Sequence, residues 1–302
     1  MSRRLRSRGQ QVKWAPTLLT LLAILSCGKD PAAVVPPTVA PAAPLPAADA
    51  LTFLVDGQPS AVLTGAELLQ RFKIETVRVW DPFEQAEVAF DATPLLEVLD
   101  AGLGPTWRGR QDLLFVAKDG YTAPLPVARL LAKRAWLAVA KAGKQPLQIK
   151  PKAGGIIEAV PYYVIWDSLA DPQLRAEGDH GWPFQTVKIE VADLAQRWPK
   201  LQVSERAGPA AQRGAAVFLG WCLPCHAISG QGGRVGPELA EPVGVVHAWN
   251  KRWLAAWIDD PAKVRRGAKM PAPPLPAGDR QQHIADVIAY LHAVSPTPTT
   301  AP

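Results

Sequence analysis

Cys222-Leu223-Pro224-Cys225-His226 constrains this chain more than any other stretch, because it is the only place where cysteines lie close together. Two residues between the thiols let one helical turn present both sulfurs to the edge of a macrocycle. The adjacent imidazole then points at a central metal. Cys-x-x-Cys-His is the attachment signature of c-type haem, in which both thiols form thioethers with the vinyl groups and the histidine ligates iron. A thioredoxin-like redox pair also reads Cys-x-x-Cys, but it follows a strand and opens a helix of a βαβ unit. Here the motif follows a helical stretch, which favours haem.

The composition narrows the second axial ligand. There are two methionines, and Met1 is the initiator, so Met270 is the one remaining thioether. It sits in Lys269-Met270-Pro271, where the proline restricts the backbone. His247 and His283 are the rivals for a bis-histidine site. Methionine ligation raises the reduction potential relative to two histidines, which suits an electron carrier. The bland reading of Met270 is a core gap-filler.

All three cysteines then have a use: Cys222 and Cys225 for haem, and Cys27 at the end of an N-terminal segment. That leaves no disulfide and no thiolate for another metal. Residues 1–27 read as an export signal, with a basic arm, an apolar run over 15–25 and a small residue before Cys27. Eleven apolar-run residues fall short of the ~20 that span a bilayer, so an uncleaved anchor is disfavoured. Ile24-Leu25-Ser26-Cys27 resembles a bacterial lipobox, which implies acylation of Cys27, a membrane lipid anchor and a location on the periplasmic side. An ordinary cleaved signal is the alternative.

Net charge is +6, but residues 1–26 contribute +5 of it, so the exported chain is close to neutral at +1. The high isoelectric point therefore gives no case for nucleic acid. Residues 28–50 form an Ala/Pro-rich tether, polyproline-like over 31–50, whose twenty residues reach at most ~60 Å.

From Leu51 the composition becomes globular. Strands are expected over 51–55, 61–63, 76–80, 86–90, 113–117, 121–124, 136–139, 162–166 and 186–191, mostly antiparallel. Thr64-Gly65-Ala66-Glu67 is a capping box that opens a helix through Phe72. A second helix is expected over 94–101, ending at Gly102, and a third over 127–131. The mixture makes 51–200 an α+β domain. The polar stretch 198–208 marks a boundary, a helical domain spans 208–296, and 297–302 is a tail.

Two resemblances add to this reading. Lys118-Asp119-Gly120-Tyr121, Pro161-Tyr162-Tyr163-Val164-Ile165-Trp166 and Trp182 to Glu190 make the first domain similar to the molybdopterin-binding fold of the sulfite oxidase family. Those enzymes hold molybdenum through a cysteine thiolate, and no cysteine lies between 28 and 221. The resemblance therefore implies the fold and not a molybdenum cofactor. For His180, beside Asp179, a ligand or base role stands against the commoner reading of a surface-loop histidine that is neither, and Tyr162, Tyr163, Trp166 and Trp182 read as core aromatics rather than an electron path. From Gly208 on, the chain resembles a class I cytochrome c. Arg234-Val235-Gly236-Pro237-Glu238-Leu239 matches the family's Gly-Pro-x-Leu segment, which implies that the Pro237 carbonyl accepts the second ring N–H of His226. Helices over 209–221 and 250–259 and a last helix capped by Asp279 follow the family pattern. Gly214, Phe218 and Tyr290 are placed for its helix crossing. Lys263, Arg265, Arg266 and Lys269 then lie near the exposed haem edge, where they would steer an acidic redox partner; a solvated loop is the alternative.

The expected fold class is thus multidomain, an α+β domain followed by an all-α class I cytochrome c domain. The leading function is electron transfer by an anchored mono-haem protein, with the first domain as a docking or scaffold module. The alternatives are an oxidoreductase whose first domain catalyses an oxidation and passes electrons to the haem, and a haem-based sensor in which Met270 dissociates.

Overall fold

Alternating apolar side chains build two sheets in the first two thirds of the chain. The computed structural model describes residues 49–152, 154–275 and 278–296. The export signal, Cys27, nearly all of the tether and the tail lie outside the described residues. In chain order the strands are β1 (Leu51–Val55), β2 (Gln58–Leu63), β3 (Glu75–Asp81), β4 (Ala86–Pro94), β5 (Asp112–Ala117), β6 (Thr122–Pro126), β7 (Ala135–Lys141), β8 (Gln148–Ile149), β9 (Ile157–Glu158), β10 (Tyr163–Trp166) and β11 (Thr186–Ala192). One sheet runs β2-β1-β11-β5-β6 and the other β10-β7-β4-β3. Their pairs are antiparallel except β1 with β11.

Helices α1 (Gly65–Arg71), α2 (Leu95–Leu103), α3 (Val127–Ala132), α4 (Pro172–Ala176) and α5 (Leu194–Arg197) accompany these sheets. Thr64 and Glu67 form the expected capping box, each side chain accepting from the other's backbone N–H. The end of α2 differs from the sequence expectation. Gly102 lies inside the helix, which closes at Gly104 with φ +72°. Gly102 serves close packing, since a Cβ there would come within 2.3 Å of the Phe53 ring.

The core between the sheets holds Phe53, Phe90, Trp107, Phe115, Tyr163 and Trp166, each nearly inaccessible to water. Burying each such side chain contributes about 2 kcal/mol. Tyr162, Tyr163, Trp166 and Trp182 all lie in this core. Asp81 is buried too; it accepts from Tyr163 Oη at 2.9 Å and from the Phe83 and Glu84 N–H groups.

The last third is helical apart from one short hairpin of β12 (Ala227–Ile228) and β13 (Gln231–Gly232). Its helices are α6 (Pro209–Trp221), α7 (Val245–Ala248), α8 (Lys251–Asp259), α9 (Pro261–Val264) and α10 (Arg280–Val294). Asn250 caps α8 and Asp279 caps α10. On α10, Ile284, Val287, Ile288 and Leu291 recur at helical spacing and are all buried. Helices α6 and α10 cross at Gly214, where an added Cβ would stand 1.9 Å from the Asp286 carbonyl oxygen. Phe218 and Tyr290 pack beside that contact with ring centroids 5.0 Å apart.

Both regions lie within one compact unit. Strand alternation explains how they join. Leu113 and Phe115 face the core between the sheets, whereas Leu114 points the other way into the helical core. Leu194, Trp198 and Leu201 also pack there, so the chain is already part of the helical core by residue 194, ahead of the polar stretch read as a boundary. Among the described residues, no helix is long and apolar enough to cross a membrane.

Candidate haem site

The site begins at the C-terminal end of α6. Cys222 is its C-cap, and the turn continues with Cys225 N–H and His226 N–H both donating to the Cys222 carbonyl, at 3.1 and 2.9 Å. The segment 222–226 is therefore one tight turn that carries both thiols and the imidazole. Neither cysteine is in a disulfide. Burial pushes the Cys222 thiol up to about 12, and burial followed by Asp119 raises Cys225. A reactive dithiol needs the opposite: a lowered pKa, typically at a helix N-terminus. A helix C-terminus disfavours thiolate through its dipole. The geometry thus speaks against the thioredoxin-like alternative.

His226 is 9% exposed, and its Nδ1 lies 2.8 Å from the Pro237 carbonyl oxygen. That partner assigns the Nδ1 proton, leaving Nε2 as the nitrogen with a free lone pair. Burial lowers the imidazole pKa, so the ring is neutral at pH 7 as a metal ligand requires. Gly236 fixes the ring from one side: a Cβ there would come within 2.4 Å of His226 Cε1. Glu238 then anchors the loop by accepting from the N–H groups of Ser229, Gly230, Leu239 and Ala240, at 2.9 to 3.1 Å. Sequence reading matched Gly236 and Pro237 to the Gly-Pro-x-Leu segment but gave a role to Pro237 alone, and it gave none to Glu238.

These features fit covalent haem: two thiols outside any disulfide on one turn, a neutral imidazole with one nitrogen already held, and a glycine at 236, where a Cβ would displace the ring. Cys222 and Cys225 would attach the group and His226 would ligate its iron. Among the described residues, no three His, Cys, Asp or Glu side chains gather as a separate metal site.

Met270 is half-buried in the stretch between α9 and α10, whose described residues form no helix or strand. Arg280 holds that stretch in place. Its guanidinium donates to the Pro273 carbonyl, the Asp259 carbonyl and the Asp259 carboxylate, at 2.6 to 2.9 Å. Of the rival ligands, His247 is exposed on α7 and packs edge-on against His292, and His283 lies in the first turn of α10. Lys263, Arg265, Arg266 and Lys269 are all exposed; Lys263 pairs with Asp260 at 3.2 Å. On α8, Trp253 and Trp257 stack at 6.0 Å with Trp249 edge-on to both. Trp249 and Trp253, with Arg252, border a groove of about 430 Å³.

Comparison with known proteins agrees with this geometry. Residues 211–295 match the sequence model of the Cytochrome c family. A curated relative, cytochrome c oxidase subunit 2 of Alkalihalophilus pseudofirmus, is 27% identical over 163 residues, 48% of this chain and 46% of the relative. The chain thus spans just under half the length of that relative. The molecule consists of a β-rich N-terminal region of mixed helix and strand and a C-terminal cytochrome c domain, a family that carries covalently bound haem c and serves haem-based electron transfer.

Proposed function

We propose that this chain is a mono-haem electron carrier, exported and held at the outer face of a bacterial membrane by a lipid on Cys27, with His226 and Met270 as the iron ligands. The observation that carries the reading is the turn 222–226 with His226 oriented by Pro237 and backed by Gly236. When bound, haem c supplies an Fe(III)/Fe(II) couple. The chain's own residues do the rest. Cys222 and Cys225 fix the group covalently, Pro237 sets the imidazole tautomer, and the helix crossing at Gly214 keeps the pocket rigid between the two oxidation states. With His226 and Met270 both holding the iron, the site would pass electrons without binding a substrate. Redox partner proteins are the natural counterparts. The likeness to an oxidase subunit supports this, and the exposed cations Lys263, Arg265, Arg266 and Lys269 suit an acidic partner surface. The N-terminal region acts as a docking or scaffold module without molybdenum.

The test is optical. Protein matured in an export-competent host should show a reduced-minus-oxidised c-type spectrum with one haem per chain and no molybdenum on metal analysis. Met270→Ala should lose the sulfur-to-iron charge-transfer band and gain carbon monoxide binding in the reduced form. Stoichiometric molybdenum in the wild type would instead favour the oxidoreductase reading. Ready carbon monoxide binding by the wild type would favour the sensor.

A further inference from the structure

The N-terminal region meets the Cys-x-x-Cys-His turn itself. β6 is the outer strand of its sheet, and an edge strand presents unpaired backbone groups. Here one of them is used, together with a carbonyl of the turn that precedes the strand. Thr122 N–H donates to the Pro224 carbonyl at 2.9 Å, and Arg234 N–H donates to the Gly120 carbonyl at 3.1 Å. Pro224 lies between the two cysteines, and Arg234 lies in the loop that leads to Gly236 and Pro237. The start of β6 and the turn before it therefore grip both sides of the loop that would hold the haem. Tyr121 stands between these two bonds in the chain and is half-buried, and burial first of all raises its phenol pKa.

A second contact comes from the loop after α4. His180 stacks on Trp221, the residue before Cys222, with ring centroids 4.1 Å apart and planes at 26°. This loop is pinned from within the sheet core. Trp166 Nε1 donates to the Gly181 carbonyl at 2.7 Å. The Arg129 guanidinium lies over the Trp166 ring, pairs with Glu177 at 2.5 Å and donates to the His180 carbonyl at 3.4 Å. His180 is thus presented to Trp221 by a built support.

We infer that this face of the N-terminal region, residues 118–122 together with His180, closes the cysteine edge of the haem site, raises the haem's reduction potential by keeping water out there, and denies that edge to external redox partners. The inference rests on the haem reading above. Thioether bonds to Cys222 and Cys225 place a macrocycle edge beside those sulfurs, so groups packed on the cysteine turn are packed on that edge. The ferric form carries one more positive charge than the ferrous form, and a drier surround disfavours it. The same cover obstructs collision by small soluble reagents. Tyr121 and His180 act here as positioning residues.

The experiment uses the full chain matured with haem, as wild type, Tyr121→Ala, His180→Ala and the double variant. Two quantities are read: the midpoint potential by redox titration, and the rate of haem reduction by ascorbate. The expected result is a lower potential in each variant, lowest in the double, with ascorbate reduction severalfold faster while the haem stays covalently attached. Gly120→Val gives an independent route that also serves if the double variant fails to fold. Gly120 has φ +90° and a Cβ there would stand 3.0 Å from Arg234 Cβ, so a side chain pushes the hairpin off the loop without deleting any group. Haem-loaded variants whose potential and ascorbate rate match the wild type overturn the inference alone. A wild-type chain that matures without covalent haem overturns the haem reading, and this inference with it.

Discussion

The two regions of this molecule solve the problem of a core differently. The sheet region fills its interior with its own side chains: Phe83, Phe90, Tyr163, Trp182 and Phe184 pack ring against ring around one buried carboxylate. The helical region has one dense contact, the crossing of α6 and α10, and then a long stretch between α9 and α10 held by Arg280. Its organising point is the turn 222–226, whose donor groups suit a group that the polypeptide does not make. A region that completes itself is expected to fold without help. A region organised around a prosthetic group is expected to gain much of its stability from binding it.

The largest way to break this contrast is at Gly214. A Cβ there overlaps the Asp286 carbonyl at 1.9 Å, so Gly214→Val should destabilise the helical region by about 3 kcal/mol or more. Circular dichroism should show a loss of helix with the sheet signal kept. Next comes acid. Asp286 is held below the usual carboxylate range, first by Arg213, and Asp81 is held above it by burial. The signs are opposite. Stability from Asp286 is present above the unfolded value of about 4 and is lost as pH falls through the lower folded value. Asp81 binds its proton more tightly when folded, so it opposes the folded state as pH rises above about 4 and ceases to do so in acid. Acid should therefore weaken the helical region first, and Asp286→Asn should flatten that response. Thermal melts followed by far-ultraviolet circular dichroism between pH 7 and pH 3 would check this.

A smaller effect is expected at Tyr163→Phe. It removes one donor to the buried Asp81 and should cost about 1 kcal/mol in the sheet region, read as a lower denaturation midpoint with haem content unchanged. The smallest effect on stability should come from reversing Arg265 and Arg266 to glutamate. Both are exposed, so melting should hardly move. Electron exchange with an acidic partner should slow, and its dependence on salt should weaken; rates already independent of salt in the wild type would remove the docking role.

Local chemistry was legible in the sequence. The capping box at Thr64 and the cap at Asp279 depend on neighbours within a few residues, and the fold carries both of them. The Gly214–Tyr290 crossing was reached only through resemblance to a family, because no local signal joins residues that far apart. What the sequence did not yield is long-range and small in footprint. Gly102 read as a helix end because its contact with Phe53 is invisible locally. His180 read as a loop histidine because Trp221 lies 41 positions away. The bonds from Gly120 and Thr122 to the haem loop use backbone atoms, which leave no trace in residue type.

The intact mass of the denatured, export-matured chain tests the central claim most directly, with Cys222→Ala/Cys225→Ala measured beside the wild type. A single haem increment that survives denaturation in the wild type and is absent from the double variant is the predicted result. A wild-type chain at its bare polypeptide mass, prepared in a host that matures other c-type haem proteins, would contradict it.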